Sequence, residues 1–187
     1  MASSHIDLTQ INMHHSKAAA ASLCGHRDRV VRQKHNYIQH AVSGSACSVN
    51  SFIFLIQEPY HYKGAIRGLG SKDQLFWGDT KDPPRACVLI SKNVTAQLLS
   101  EFLDRDVLAF ETKWESGSIV VASIYMPGDS VTPPPSERSR NLVAYCERKA
   151  IPLVIGADAN SHHLLWGSSG INSRGEQLLE YLMTTDL

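Results

Sequence analysis

The stretch Pro152–Ser168, PLVIGADANSHHLLWGS, contains the features from which the fold class is deduced. It begins with a short apolar run, Pro152–Ile155, which predicts a β-strand. The run is followed at once by GADAN, so Asp158 and Asn160 stand just beyond the predicted strand. In open α/β sheets the crevice outside the carboxyl ends of the strands is where ligands bind. This stretch therefore predicts a strand whose end carries a carboxylate and an amide into a binding site.

Three further runs in the chain have the same layout. His5–Asn12 alternates apolar and polar residues and predicts a half-buried strand. Phe52–Ile56, FIFLI, is an unbroken apolar run, typical of a strand buried on both faces, and Glu58 follows it. Ser118–Tyr125 predicts another strand, closed by Met-Pro-Gly.

The polar groups at these four strand ends form a chemically consistent set. They are two amides, two carboxylates and a phenol: Asn12, Glu58, Tyr125, Asp158 and Asn160. If the strand ends face one side, the side chains surround one pocket. Carboxylates ligate Mg²⁺, and amides and phenols donate to phosphoryl oxygens, so the set suits a hard divalent cation and a phosphate.

Helical patterns separate the predicted strands and indicate an α/β sandwich. The run KAAAASLC after Ser16 favours helix, Ser136 is placed to cap a helix through Lys149, and Ser173 with Glu176 forms a capping box before a helix to Leu187. The other predictions are strands at Ala86–Ile90 and Val107–Lys113, a loop over residues 63–84, and a helix through Asp28–His40.

Composition limits the classes of protein that the chain can represent. Its 187 residues include 18 Lys+Arg and 18 Asp+Glu, so the formal net charge is zero, and a nucleic-acid partner would have to bind a local patch. No apolar run reaches the roughly 20 residues of a membrane-spanning helix, and the N-terminus lacks the pattern of a secretory signal. The four cysteines are widely spaced without a C-x-x-C pair, which favours free thiols and an intracellular location.

Several motifs, in order along the chain, resemble the endonuclease/exonuclease/phosphatase superfamily, and most closely the apurinic-type endonuclease domain of non-LTR retrotransposons. The matching segments are QIN followed by KAA, then IQEPY, IYMP, PLVIGADANSHHLLWGS and NSRGEQLLEYL. The resemblance implies a single domain over residues 1–187 with the four-layer, DNase I-like α/β sandwich of that superfamily. It also implies Mg²⁺-dependent hydrolysis of a DNA phosphodiester, with Mn²⁺ as an alternative ion.

The resemblance assigns a role to each matching position. Glu58 corresponds to the metal-binding glutamate, and Asn12 to the asparagine that helps to place it. Tyr125 corresponds to the tyrosine that contacts the scissile phosphate. Asp158 corresponds to the aspartate that orients or deprotonates the attacking water, and Asn160 to the asparagine that holds the phosphate. The loop and helix start that follow, where the family contacts DNA or supports the site, contain His162, Trp166, Asn172 and Arg174.

The chain also departs from the family pattern. The family site is completed by a later strand bearing an aspartate and by a Ser-Asp-His end, and the sequence to Leu187 contains neither. We therefore expect a sandwich that is incomplete at its C-terminus, only marginally stable, and little or no nuclease activity from these 187 residues. Residues 25–50 are longer and more basic than usual and are interpreted as an insertion or a divergent segment. In a full-length element, the expected partners are DNA and the reverse transcriptase domain of the same polyprotein, and the location is nuclear.

Simpler interpretations exist for the individual residues. Glu58 can be an ordinary charge that ends a strand, Asp158 and Asn160 an Asx turn, and Tyr125 a packing residue. The pairs His14-His15 and His162-His163 are expected to be poor chelates, because neighbouring residues of a strand face opposite sides. The leucine stripe from Leu178 to Met183 is interpreted as core, and the basic run from Arg27 to Lys34 as a solvated helix face.

Two other functions remain open at this point. One is a phosphoesterase of the same superfamily that acts on a small or lipid phosphate. The other is a non-catalytic remnant that binds nucleic acid or a partner.

Overall fold

The computed structural model describes residues 6–24, 51–69, 72–78, 81–114 and 117–185. In these ranges the chain forms ten strands, three α-helices and two short 3₁₀ helices. The strands are β1 Ile6–Asn12, β2 Ser51–Gln57, β3 His61–Tyr62, β4 Ala65–Ile66, β5 Gln74–Trp77, β6 Ala86–Ile90, β7 Ala96–Leu98, β8 Val107–Trp114, β9 Gly117–Tyr125 and β10 Leu153–Asp158. The helices are α1 over residues 17–24, α2 Glu137–Lys149 and α3 Ser173–Leu182, with 3₁₀ turns at Ser100–Phe102 and Leu164–Trp166.

The two four-stranded sheets have the same arrangement of parallel and antiparallel strands. The first has the order β1-β2-β6-β5 and the second the order β10-β9-β8-β7. In each sheet one parallel pair lies at an edge, β1 with β2 and β10 with β9, and the remaining pairs are antiparallel. The parallel registers place Asn12 opposite Gln57 and Asp158 opposite Tyr125. The polar groups predicted at strand ends therefore lie side by side at the carboxyl end of each parallel pair.

The described residues form four layers, α1, the first sheet, the second sheet and α2, with an apolar cluster between each pair of neighbours. Between the sheets, Leu55 and Val88 of the first sheet pack with Leu108 and Phe110 of the second. The outer face of the first sheet packs on α1, and the outer face of the second packs on α2. Strand β2 serves two of these clusters at once, which explains why its run FIFLI is apolar at every position. The predicted four-layer α/β sandwich is confirmed.

The strand predictions succeeded for the longer strands and missed the short ones, β3, β4, β5 and β7. The strands predicted from His5, Phe52, Ala86, Val107 and Ser118 are all present. The loop predicted for residues 63–84 was wrong, because it contains β4 and also β5, which pairs with the buried β6. The strand predicted to end at Ile155 continues as β10 to Asp158, since its pairing with β9 extends to Tyr125.

The helix predictions that fall on described residues were correct in place and partly wrong in extent. Ser136 caps α2 as predicted by accepting a hydrogen bond from the Ser139 N–H. The cap of α3 is Asn172 rather than Ser173, because the Asn172 side chain accepts from the Gly175 N–H at 2.7 Å. That helix ends at Leu182 instead of running to Leu187, and Met183, interpreted as core, is 79% exposed.

Two predictions fall on residues that the structure does not describe. They are the proposed insertion at 25–50 and the helix through Asp28–His40. Across the described ranges, none of the helices has both the length and the apolar character needed to cross a bilayer.

Candidate functional site

The structure brings the polar ends of both sheets together through Asn12 and Asp158. The amide nitrogen of Asn12, at the end of β1, donates a hydrogen bond to Oδ2 of Asp158, at the end of β10. The amide oxygen of Asn12 accepts from the His14 N–H at 2.8 Å, which fixes the nitrogen toward the carboxylate. The other Asp158 oxygen, Oδ1, accepts from the Asn160 N–H at 3.1 Å. The Asp158 carboxylate is thus oriented by donors on both of its oxygens.

Glu58 follows β2 in a left-handed backbone conformation with φ of 48°. Main-chain bonds hold it in place, because its N–H donates to the Arg85 carbonyl at 2.7 Å and its carbonyl accepts from the His15 N–H at 2.8 Å. A φ in this region is uncommon for a residue other than glycine and is sustained by such surrounding contacts. The carboxylate side chain is largely buried, with 16% of its surface exposed.

Two adjacent histidines face the Glu58 carboxylate, contrary to the sequence-based expectation. His14 Nδ1 lies 3.1 Å from one carboxylate oxygen and His15 Nε2 lies 3.6 Å from the other. The expectation assumed a strand, whereas both histidines occupy a left-handed turn after β1, with φ of 45° and 53°. Consecutive left-handed residues change the direction of the chain, so both rings reach the same side.

Tyr125 stands between the groups of the two sheets. Its phenol lies near the side chains of Glu58 and Asn160, and both influence its pKa. Partial burial raises the pKa of this phenol above its ordinary value, and the negative charge of Glu58 raises it further. At neutral pH the phenol is therefore protonated and able to donate a hydrogen bond. Asn160, also left-handed with φ of 48°, is fixed by a bond from its Nδ2 to the Met126 carbonyl at 3.0 Å.

A buried polar network lies directly beneath these groups. Gln57, fully buried, accepts from Gln10 Nε2 at 2.6 Å and donates to Ser123 Oγ at 3.0 Å and to the Gly156 carbonyl at 2.9 Å. Ser123 Oγ in turn donates to the Ile56 carbonyl at 3.0 Å. The network joins β1 and β2 of the first sheet to β9 and β10 of the second. Sequence reasoning missed it, although a glutamine closing the apolar run FIFLI was its visible signal.

The loop and helix predicted to contact DNA are placed as follows. His162 is exposed, and Trp166 is 39% exposed, with its indole N–H bonded to the Ser161 carbonyl at 2.9 Å. The Asn172 side chain caps α3 and also accepts from the His162 N–H at 2.9 Å. Arg174 donates to three main-chain carbonyls, those of Ser130, Thr132 and Ala159. Asn172 and Arg174 therefore stabilise the loop after β10. His162 and Trp166 of this loop are exposed polar and aromatic side chains.

The oxygen donors of the site suit Mg²⁺ better than they suit an ion that is surrounded entirely by protein ligands. Mg²⁺ keeps several waters and is held by one or two carboxylates together with substrate phosphates. Glu58 offers one carboxylate of this kind, and Asp158 lies on the other sheet. Within the described ranges, no group of three or more His, Cys, Asp and Glu side chains is arranged to hold a metal ion. The residues fit an ion that is bound jointly with a phosphate.

Comparisons with known proteins identify a matching family model and similar solved structures. Residues 119–187 match the family model described as endonuclease-reverse transcriptase. The fold matches the structure entitled endonuclease domain of TRAS1, a telomere-specific non-LTR retrotransposon, with a TM-score of 0.65 and 22% sequence identity. That match covers 94% of this chain and 68% of the TRAS1 chain. A β-hairpin deletion mutant of the beta toxin from Staphylococcus aureus matches at a TM-score of 0.45 and 8% identity, over 96% of this chain and 73% of the other. No curated protein has significant sequence similarity.

The fold is thus a four-layer α/β sandwich of the DNase I-like type, similar to that of the TRAS1 endonuclease domain. The resemblance inferred from the sequence is confirmed in its more specific form, namely to endonuclease domains associated with the reverse transcriptases of non-LTR retrotransposons.

Proposed function

We propose that the chain is a Mg²⁺-dependent DNA endonuclease domain that hydrolyses one phosphodiester of a target strand. The supporting observation is that groups from both sheets meet in one cluster, with Asn12 bonded to Asp158 and Tyr125 close to Glu58 and Asn160. These five residues are the ones that the motif order selects. Residues 119–187, which match the endonuclease-reverse transcriptase family, contribute three of them.

Each side chain has a chemical task that its contacts permit. Asp158, whose two oxygens each accept a hydrogen bond, would orient a water and accept its proton. The protonated phenol of Tyr125 and the amide of Asn160 donate hydrogen bonds to phosphate oxygens, where negative charge increases during attack. Mg²⁺ or Mn²⁺ bound at the Glu58 carboxylate would supply positive charge for that phosphate.

The proposal also covers partners and location. The substrate is duplex DNA, and the associated activity is a reverse transcriptase of the same polyprotein, which uses the 3′-hydroxyl that the nick releases. Such a reaction on chromosomal DNA takes place in the nucleus.

A second candidate, a non-catalytic domain that binds nucleic acid, is favoured by one observation. In the part of the chain that the structure describes, no histidine contacts the Asp158 carboxylate, and both nearby imidazoles, those of His14 and His15, face Glu58. Phosphodiester hydrolysis benefits from a group that assists proton transfer beside the attacking water. Without one, the site would retain phosphate binding while cleavage is slow or absent.

The deciding experiment measures binding and cleavage in parallel on the purified 187-residue protein. Binding of a fluorescently labelled DNA duplex is followed by anisotropy, and nicking is followed on supercoiled plasmid, each with Mg²⁺ and with EDTA. The variants are Glu58→Gln and Asp158→Asn, and the matched control is Glu101→Gln, an exposed residue of a 3₁₀ turn outside the site.

We expect Mg²⁺ to tighten DNA binding and Glu58→Gln to weaken that effect by at least about 10-fold, because loss of a metal ligand should cost no less than loss of a group that orients one. Nicking should be slow and should disappear in Asp158→Asn, with no change in the Glu101→Gln control. Mg²⁺-dependent binding without any nicking would select the second candidate. If neither Mg²⁺ nor Glu58→Gln changes the affinity for DNA, the proposed site is contradicted. If the protein cleaves small phosphate esters but not DNA, the proposed substrate is contradicted.

A further inference from the structure

Arg85 contacts both halves of the candidate site from a position that the motif order does not select. It immediately precedes β6 in the first sheet, and its carbonyl accepts the Glu58 N–H at 2.7 Å. Its guanidinium carbon lies 5.0 Å from the centroid of the Tyr125 ring, at the end of β9 in the second sheet. Arg85 therefore contacts the backbone of Glu58, which is the expected metal ligand. It also contacts the ring of Tyr125, which is expected to bind the phosphate.

The guanidinium is held rigidly by Asp106. Arg85 Nε and Nη2 donate to Oδ1 and Oδ2 of Asp106, both at 2.6 Å, in a two-bond pairing of planar groups. The side chains are 25% and 21% exposed, so this pair is partly shielded from solvent. The main chain of Asp106 closes the arrangement, because its carbonyl accepts the Tyr125 N–H at 2.8 Å. Asp106 thus fixes the guanidinium and the tyrosine backbone at the same time.

The face of an aromatic ring attracts a cation, and a planar guanidinium stacks on it more favourably than an ammonium does. A clamped guanidinium over the ring restricts the ring's orientation, and with it the direction of the phenol. A fixed direction matters at this position because the phenol must reach Glu58, Asn160 and an incoming phosphate together. A surface ion pair alone would need neither the position over the ring nor the bond to the tyrosine backbone.

We propose that Arg85, clamped by Asp106, is a positioning residue for Tyr125. This inference rests on the proposed function, since it concerns how the same site holds a phosphate. Arg85 acts on the reaction through the tyrosine and is not itself assigned to the substrate.

The first test observes the tyrosine without any DNA, metal or catalysis. Protein with isotope-labelled tyrosine and asparagine is studied by NMR, with the Tyr125 signals identified by their loss in Tyr125→Phe. The variants are Arg85→Gln, Arg85→Lys and Asp106→Asn, and the matched control is Arg148→Gln, an exposed arginine in the last turn of α2. Circular dichroism confirms that each variant is folded.

We expect the Tyr125 ring signals to shift, and its nuclear Overhauser contact with the Asn160 side chain to weaken, in Arg85→Gln and Asp106→Asn. Arg85→Lys should restore part of the shift but not the contact, because an ammonium cannot pair with Asp106 through two bonds while stacking. The control should match the wild type. Unchanged Tyr125 signals in folded Arg85→Gln or Asp106→Asn would overturn the proposal. The lysine and asparagine variants keep the test valid if the glutamine variant does not fold.

The second test is a double-mutant cycle on binding of the DNA duplex in Mg²⁺. Arg85→Gln and Tyr125→Phe are each expected to raise Kd by about 10-fold, and the double variant should be no weaker than either alone. Additive losses would show that Arg85 acts on DNA independently of Tyr125 and would overturn the positioning role. If the wild type does not bind DNA, the proposed function fails, whereas the NMR result still decides the role of Arg85.

Discussion

Replacement of Gln57 by methionine tests how the two sheets are held together beneath the candidate site. Methionine has nearly the same length and volume as glutamine, so Gln57→Met removes polar contacts with little change in packing. The three hydrogen bonds lost are those to Ser123 Oγ, to the Gly156 carbonyl and from Gln10 Nε2. The consequence differs among the partners, because Ser123 retains its bond to the Ile56 carbonyl while the Gly156 carbonyl loses its glutamine donor.

The magnitude follows from these contacts. Three hydrogen bonds at a net value of about 1 kcal/mol each give about 3 kcal/mol of lost stability. Burying the more apolar methionine side chain at this fully buried position recovers about 1 kcal/mol. The expected reduction in the free energy of unfolding is therefore about 2 kcal/mol. For a chain of this size it corresponds to a Tm lower by about 4–8 °C.

Urea unfolding followed by circular dichroism and tryptophan fluorescence provides the measurement. With a slope of about 2 kcal/mol/M, the midpoint should fall by about 1 M. The control is Gln97→Met, because Gln97 is an exposed residue of the edge strand β7 and its replacement should change stability by less than about 0.5 kcal/mol. If Gln57→Met is as stable as Gln97→Met, the network does not join the sheets energetically and the reasoning is refuted.

Three further predictions concern close packing, capping and thiol chemistry. Gly156→Ala should lower the free energy of unfolding by about 1–3 kcal/mol in the same urea assay, because an added Cβ would lie 2.8 Å from Gln10 Cγ and 2.9 Å from two Leu55 carbons; a neutral result would mean that these neighbours move freely. Asn172→Ala should cost about 1–2 kcal/mol and raise amide hydrogen exchange in the first turn of α3, since its side chain accepts from both Gly175 and His162; unchanged exchange would exclude the cap. Burial raises the pKa of Cys146 to about 11 and that of Cys87 still higher, so both should resist iodoacetamide at pH 8 in the folded protein and react after unfolding, as read by mass spectrometry. Modification of either thiol in the native state would contradict the burial.

The sequence predicted those parts of the fold that depend on local pattern. Strand β2 was visible as FIFLI, and β6 as ACVLI, because a strand buried on both faces must be apolar at every position. The Ser136 cap and the apolar face of α2 follow from helical periodicity alone. The strand-end residues were found because motif order singles out positions next to these apolar runs.

The parts that were missed depend on contacts between distant segments. Strand β5 has the short, mixed sequence QLFW and exists because it pairs with the buried β6. The turn at His14 and His15 is stabilised by a main-chain bond from His15 to Glu58, which no local pattern reveals. Gln57 and Arg85 find their partners across the two sheets, and for Gln57 one partner lies 99 residues away.

Because the candidate site is divided between two sheets, its geometry depends on how the sheets are placed against each other. Asn12 ends β1 and Glu58 follows β2 in the first sheet. In the second sheet, Tyr125 ends β9, Asp158 ends β10 and Asn160 follows it. A shift of one sheet would separate the pairs that cross between the sheets, Asn12 with Asp158 and Glu58 with Tyr125, even if each sheet stayed intact.

Two connections oppose such a shift, and each joins one sheet to the other close to the site. The Gln57 network ties β2 to β10 at Gly156, two residues before Asp158, and Arg85 ties the Glu58 backbone to the Tyr125 ring. Both are polar and specific in direction, unlike the apolar packing between the sheets, which tolerates sliding more readily because it is non-directional. The apolar core therefore accounts for the association of the sheets, and these polar connections account for the register in which the site is assembled.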